Sequence, residues 1–204
     1  MRAGREHWEG IWRERTPTEV SWYQAEARRS CELISELAPS ETSPIVDVGG
    51  GASTLVESLL DAGYRDLTVL DVSASALEHS RRKLGPRAAD VTWIAADVLE
   101  HRFTTRFGLW HDRAAFHFLV DPADRARYAA AAHAALEPDG YLVVATFGLE
   151  APPACSGLPV ERYDAPRLTD AFGDGFEPVR FVADDHETPA GTIQPFTYGV
   201  LRRV

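Results

Sequence analysis

Long apolar runs are missing from this 204-residue chain. No segment approaches the roughly 18 unbroken apolar residues of a membrane span. The opening MRAGREHWEGIW has no apolar core of signal-peptide length, so the sequence reads as a soluble protein. Cysteine is scarce: the two present, Cys31 and Cys155, match no metal-ligand spacing and suggest no disulfide framework, which favours a reducing cytoplasm. Positive charge is outnumbered, with 21 Lys and Arg against 31 Asp and Glu and a net charge of −10. A phosphate backbone is thereby an unfavourable partner, because no broad basic surface exists to displace its counterions; a cationic ligand or basic peptide suits the chain better. The one basic cluster, Arg81, Arg82 and Lys83 with Arg87, reads as a solvated helix face. Repeats and low-complexity segments are absent, and at this length a single domain over 1–204 buries an adequate core unaided.

Short apolar runs alternate with helical stretches. Strands are expected at Ile45–Val48, Leu67–Leu70, Val91–Ala95, Leu109–His111 and Tyr141–Phe147. Helices are expected at Thr54–Ala62, Ala74–Leu84 and Asp124–Leu136, closed by Gly63, Gly85-Pro86 and Pro138–Gly140. Such alternation produces right-handed crossovers and a parallel sheet covered on both faces. The rhythm then breaks, because Phe176–Val182 and Phe196–Arg203 are strand-like with no helix between them, which predicts a closing antiparallel hairpin. Its long connection contains DDHE, Asp184–Glu187. These are metal-ligand residue types, yet four adjacent residues seldom converge on one ion, and a solvated loop is expected. Ahead of the first strand, Arg5–Arg15 and Gln24–Leu37 look helical, making 1–43 an addition to an α/β core at 44–204.

The segment IVDVGGGAST, Ile45–Thr54, is a strand running into three consecutive glycines and then helix. In open α/β sheets, ligands sit beyond the carboxyl ends of strands. A dinucleotide fingerprint requires glycine at its first, third and sixth places, and the sixth counted from Gly49 is Thr54. Two acids follow on the same sheet edge. Asp71, with Val72 beside it, ends the second strand, where a carboxylate accepts from ribose hydroxyls. Asp97 ends the third, where it can accept from an adenine amino group while the Val98 N–H reaches a ring nitrogen.

These residues resemble the class I S-adenosylmethionine-dependent methyltransferases, in the form of the small single-domain bacterial members. VDVGGGAS is similar to that family's first motif, Asp71 to its ribose acid, Ala96–Val98 to its adenine contact and EPDGYLVVATF to its fifth strand. The resemblance implies an α/β fold with a Rossmann-like seven-stranded sheet of order 3-2-1-4-5-7-6, the last strand antiparallel, and S-adenosyl-L-methionine as cofactor. It implies that Gly49 and Gly51 approach the methionine part, with Asp112 or His111 near the sulfonium. His111 at the end of the fourth strand is also a candidate general base, with plain packing against the cofactor as the alternative. No metal is implied, since a sulfonium already carries its leaving group.

Trp8, Trp12, Trp22 and Tyr23 concentrate aromatic area ahead of the first strand. Such a stripe can be core packing. The sheet has its own covering helices, however, and an aromatic front segment is suited to close over a cofactor as a lid, with Trp22 or Tyr23 lining the pocket. The expected activity is methyl transfer to an O, N or S nucleophile of a small molecule. A protein lysine, a non-catalytic donor-binding regulatory protein and a nucleotide-dependent oxidoreductase are the alternatives; the last is disfavoured by Thr54. The loop Gly148–Tyr163 leaves the fifth strand and is expected to flank the acceptor.

Overall fold

The computed structural model describes residues 4–38 and 40–204. The four residues Ile45–Val48 form β1, buried along its length because helices cover both faces of the sheet. Around it lie β2 (Leu67–Asp71), β3 (Val91–Ala95), β4 (Phe107–Arg113), β5 (Leu136–Phe147), β6 (Phe176–Glu187) and β7 (Ile193–Arg203). They assemble in the order 3-2-1-4-5-7-6. The first five are parallel, and β7 runs antiparallel to both β5 and β6. Asp47 is in register with His111, and Val48 with Asp112.

Side chains alternate across a strand, so one residue step changes faces. Ile45, Val69, Leu109, Val143 and Val200 pack on one face with α2 (Arg28–Leu37) and α3 (Leu55–Asp61). Val46, Val48, Trp110, Leu142 and Val144 pack on the other with α5 (Pro122–Ala135) and α6 (Ala165–Phe172). α1 (Arg5–Glu14) and α4 (Ala74–Leu84) complete the helices. Local chemistry sets their ends. Ser73 caps α4 by accepting from the Ala76 N–H at 3.1 Å, and Gly85 closes it at φ 58°. Asp121 accepts from the Ala123 N–H at 2.8 Å, with Pro122 opening α5. Among the described residues no helix is long and apolar enough to cross a membrane.

Two expectations are corrected and one helix is added. DDHE is strand, not loop: Asp184, Asp185, His186 and Glu187 pair with Phe196, Pro195, Gln194 and Ile193, leaving 188–192 as the turn. His186 is buried, its Nε2–H donating to the Ser21 carbonyl at 2.7 Å, so charged neighbours had masked a strand with one inward face. The stretch after Tyr163 contains α6, opened by Asp164 accepting from the Arg167 N–H at 3.0 Å. α2 begins at Arg28 rather than Gln24; the Gln24 carbonyl instead accepts from the Thr54 hydroxyl at 3.2 Å, fastening the front segment to the glycine turn. Between Phe107 and Leu109 the β4–β5 register shifts, so that Gly108 stands opposite Glu137–Gly140, which extends β5 back to Leu136.

Candidate functional site

Each of the three glycines makes room for a different neighbour. Gly49 has φ +73°, and a Cβ on it would lie 2.7 Å from the Ala115 methyl. A Cβ on Gly50 would lie 2.2 Å from Asp47 Oδ2, and one on Gly51 2.5 Å from Asp71 Oδ2. The Gly51 N–H donates to that Asp71 oxygen at 3.0 Å, and the Ser73 N–H donates to the other at 2.8 Å. Two backbone donors thus hold the Asp71 carboxylate at the turn. Burial nevertheless pushes its pKa up to about 6, outweighing those donors, with Asp47 and Glu9 adding to the rise.

Above this edge lies a cavity of about 980 Å³, part of it open to solvent. Gly49, Asp71, Val72, Asp97 and Val98 line it, as the sequence leads one to expect, together with Trp22. Asp97 is oriented by the Leu99 N–H, which donates to its Oδ1 at 2.9 Å. Trp8 and Trp12 join Trp22 as a roof, with edge-to-face ring distances of 6.0 Å from Trp22 to each. The roof is tied down where α4 begins: Glu9 accepts from the Ala74 N–H at 2.7 Å and the Ser75 hydroxyl at 2.5 Å. His79 Nε2 adds a bond to the Trp12 carbonyl at 3.3 Å.

A second, smaller cavity adjoins the first and is lined by Gly50, Ser53, Thr54, Tyr23 and Asp47 among others; Trp22, Gly49 and Arg113 border both. Beneath it runs a buried chain of polar groups. His111 Nδ1–H donates to Asp47 Oδ1 at 2.7 Å, and its Nε2 pairs with the Ser30 hydroxyl at 2.8 Å. These residues are 4 % (Asp47), 2 % (His111) and 0 % (Ser30) exposed. Asp47 Oδ2 is buried with no partner.

Two expected cofactor contacts fall elsewhere. Gly51 lines neither cavity, because its backbone faces Asp71 and α4. Asp112 lies on the opposite face of the sheet, one step along β4 from His111. Its carboxylate accepts from the Ala115 N–H at 2.9 Å, the Phe116 N–H at 3.1 Å and the Tyr128 hydroxyl, fixing the turn after β4 where Ala114 takes φ 69°. Burial raises its pKa to about 6, with those donors opposing. Arg113, Phe118, Phe147, Cys155 and Phe196 were not foreseen as lining residues of the larger cavity. Arg113 follows His111 by two along β4, a period that signals the same face; Cys155 lies within the loop expected to flank an acceptor.

Residues 45–140 match the sequence family described as a methyltransferase domain. The eEF1A lysine and N-terminal methyltransferase of Danio rerio is 29% identical over 98 residues, 48% of this chain and 14% of that protein. The chain therefore spans about one-seventh of that curated relative's length. Two solved structures share the fold over nearly the whole chain. One, from work on converting a disulfide bond into a thioacetal group during echinomycin biosynthesis, has a TM-score of 0.78 at 20% identity, covering 98% of this chain and 92% of its own. The other is the 1,6-didemethyltoxoflavin-N1-methyltransferase of Burkholderia thailandensis, solved with 1,6-didemethyltoxoflavin and S-adenosylhomocysteine, with a TM-score of 0.74 at 20% identity over 98% of this chain and 87% of its own.

Residues 45–140 thus carry the sequence pattern of a methyltransferase domain, and the chain shares the fold of S-adenosylmethionine-dependent methyltransferases. An S-adenosylmethionine-type donor has an adenosyl group and an amino-acid end, and the atoms of this site permit both. Asp71 and Asp97 stand as acceptors on one wall of the larger cavity. Asp47 Oδ2, an unpaired buried carboxylate oxygen beside the smaller cavity, is suited to an ammonium group. The clearance that Gly50 leaves beside that oxygen would be filled by any side chain.

Proposed function

We propose that this protein transfers the methyl group of S-adenosyl-L-methionine to an O, N or S nucleophile of a small molecule. The observation that carries this reading is the meeting of Gly49, Asp71 and Asp97 on one cavity wall beneath a roof of Trp8, Trp12 and Trp22. Asp71, with Val72 beside it, would hold the ribose hydroxyls; Asp97 and the Val98 N–H would hold the adenine; Asp47 would hold the ammonium. The bound donor supplies a sulfonium whose methyl carries its own leaving group, so alignment and exclusion of water are the protein's main tasks.

The segment ahead of β1 acts as the lid over the 44–204 core. Its Trp8 packs edge-on to Phe118 at 4.9 Å, which narrows the cavity on that side. A closed roof favours a small acceptor over a folded protein or a nucleic acid, both of which would need an open face. His111 is a positioning residue in this reading, since both ring nitrogens are engaged and the ring is buried under the smaller cavity, where it fixes Asp47. Asp112 orders the turn from behind the sheet.

Thermal-shift measurements with S-adenosylhomocysteine and NAD test donor binding. S-adenosylhomocysteine is expected to raise Tm and NAD to leave it unchanged; the reverse pattern would overturn the reading. Turnover of a methyl-labelled donor against a metabolite panel then separates an enzyme from a protein that only binds the donor.

A further inference from the structure

The two ends of the larger cavity differ in character. Asp71 and Asp97 mark one end, while Phe147, Cys155 and Phe196 form an apolar wall at the other, where the charged lining group is Arg113. That guanidinium is held in place from two sides. Its Nη1 donates to the Trp22 carbonyl at 3.0 Å, and its Cζ lies 4.5 Å from the centroid of the Phe196 ring. The remaining nitrogens, Nε and Nη2, are buried and have no hydrogen-bond partner.

Arginine keeps its charge at every relevant pH, and a buried charge without a partner is strongly unfavourable. The groups around it do not compensate. His117 is driven down to about 3 by burial and by the Arg113 charge, and so stays neutral. His186 is lowered by burial and by the same charge, while burial raises the Cys155 thiol and the Tyr198 phenol. The Tyr198 hydroxyl, also buried, lies towards Ser30 and Arg113 without completing a well-formed hydrogen bond to either, and as a neutral group it leaves the charge unbalanced. Nε and Nη2 form the side-on edge of the guanidinium, the edge that takes a carboxylate through two parallel hydrogen bonds. Asp184, whose charge reaches His186 and Tyr198, is paired with Arg29 at 3.4 Å, and among the described residues no carboxylate joins Phe147, Cys155 and Phe196 in lining this end of the larger cavity, a wall otherwise suited to an aromatic body.

We propose that Arg113 docks a carboxylate of the methyl acceptor through Nε and Nη2, so that the acceptor is a small aromatic acid whose ring lies along Phe147 and Phe196. This rests on the methyltransferase reading above. A carboxylate there has a second possible source, the amino-acid end of the donor, because Arg113 also borders the smaller cavity. The position of Arg113 beside Phe147, Cys155 and Phe196, none of which lines the smaller cavity, favours the acceptor.

The test uses the full chain saturated with S-adenosylhomocysteine and titrated calorimetrically with 4-hydroxybenzoate and, separately, 4-hydroxybenzamide. The acid is expected to bind at least about tenfold more tightly than the amide. Arg113→Gln should erase that gap while S-adenosylhomocysteine affinity stays within about threefold. Arg113→Lys, which keeps the charge and loses the fork, should retain part of the gap and serves if the glutamine variant does not fold. Equal binding of acid and amide, or no binding of either, overturns the proposal. So does a variant that loses S-adenosylhomocysteine more than about tenfold while binding 5′-methylthioadenosine normally, since that assigns Arg113 to the donor's own carboxylate. Failure of the unmodified protein to bind S-adenosylhomocysteine is a different result: it defeats the methyltransferase reading, and this inference with it.

Discussion

Asp47 and Asp112 are buried carboxylates on neighbouring strands, and they occupy opposite faces of one sheet. Asp47 faces α2, shares one oxygen with His111 and leaves the other unpaired beside a cavity. Asp112 faces α5 and spends both oxygens on the Ala115 and Phe116 N–H groups and the Tyr128 hydroxyl, which in turn accepts from the Trp110 indole N–H at 2.9 Å. A carboxylate with every lone-pair direction occupied by its own chain builds structure. One left partly unoccupied in a buried place is available to a ligand. His111 and Asp112 are adjacent in sequence, so the division of labour is made by the alternation of a single strand.

The largest effect expected from breaking this contrast is on stability. Asp112→Ala leaves two backbone N–H groups and the Tyr128 hydroxyl without their acceptor inside the apolar layer, at a loss of about 3 kcal/mol. For a chain of this size that lowers Tm by roughly 10 °C. The surviving folded fraction should bind S-adenosylhomocysteine within about threefold of the parent, because Asp112 lines neither cavity. A stable variant that had lost the ligand would place Asp112 in the site after all.

Asp71→Ala should show the opposite pattern. Loss of a charged acceptor for two hydroxyls costs about 2 kcal/mol of binding, near 30-fold in S-adenosylhomocysteine affinity by calorimetry. Its fold should lose less than that of Asp112→Ala, because the Gly51 and Ser73 N–H groups that it leaves are only part-buried at the cavity edge.

The same contrast marks how far the residues could be read in advance. The sheet order, the antiparallel hairpin and the placement of Gly49, Asp71, Asp97 and Trp22 on one cavity follow from alternation of apolar runs, from acids at strand ends and from the family resemblance. Which neighbour of His111 faces the cavity depends on the phase of a strand, and seven residues of β4 with apolar positions on both faces carry no alternation to set that phase. Phe147 and Phe196 meet across the β5–β7 pairing and Cys155 joins them in lining the cavity, contacts between segments too far apart for local periodicity to report. β6 continues past Val182 to Glu187, where exposed charges fill its outward positions and hide the strand pattern.

A titration sharpens the contrast further. Asp71 and Asp112 are both raised from 3.8 to about 6 by burial. An acid whose folded pKa lies above its unfolded value binds more protons when folded, so its contribution is most favourable at low pH. That contribution declines as pH rises from about 4 to about 6 and is level above. Asp71→Asn should therefore gain stability relative to the parent across that window, as read by denaturant unfolding at each pH. Ribose hydroxyls donate to the ionised carboxylate, so S-adenosylhomocysteine should bind several-fold more tightly at pH 7.5 than at pH 5 and release a proton on binding near pH 6. In Asp112→Asn that dependence should persist; its disappearance there, or its survival in Asp71→Asn, would assign the titration to the wrong face of the sheet.

The smallest effect belongs to the lid. Glu9 accepts from the Ala74 and Ser75 backbone and from the Ser75 hydroxyl at the start of α4, as an N-terminal capping carboxylate supplied by another helix. It lines neither cavity, so apart from its charge near Asp71 its contribution to the site passes through the position of Trp8 and Trp12. Glu9→Ala removes about 1 kcal/mol of capping and docking. In the proposed lid reading α1 lifts while the sheet stays folded, so most of that loss should appear in the rate of ligand escape. Stopped-flow tryptophan fluorescence should show S-adenosylhomocysteine dissociating about three- to fivefold faster, with the association rate nearly unchanged. Glu9→Gln, which still offers one oxygen acceptor, should fall between the two. An unchanged escape rate would mean that the ligand leaves by a route that α1 does not cover.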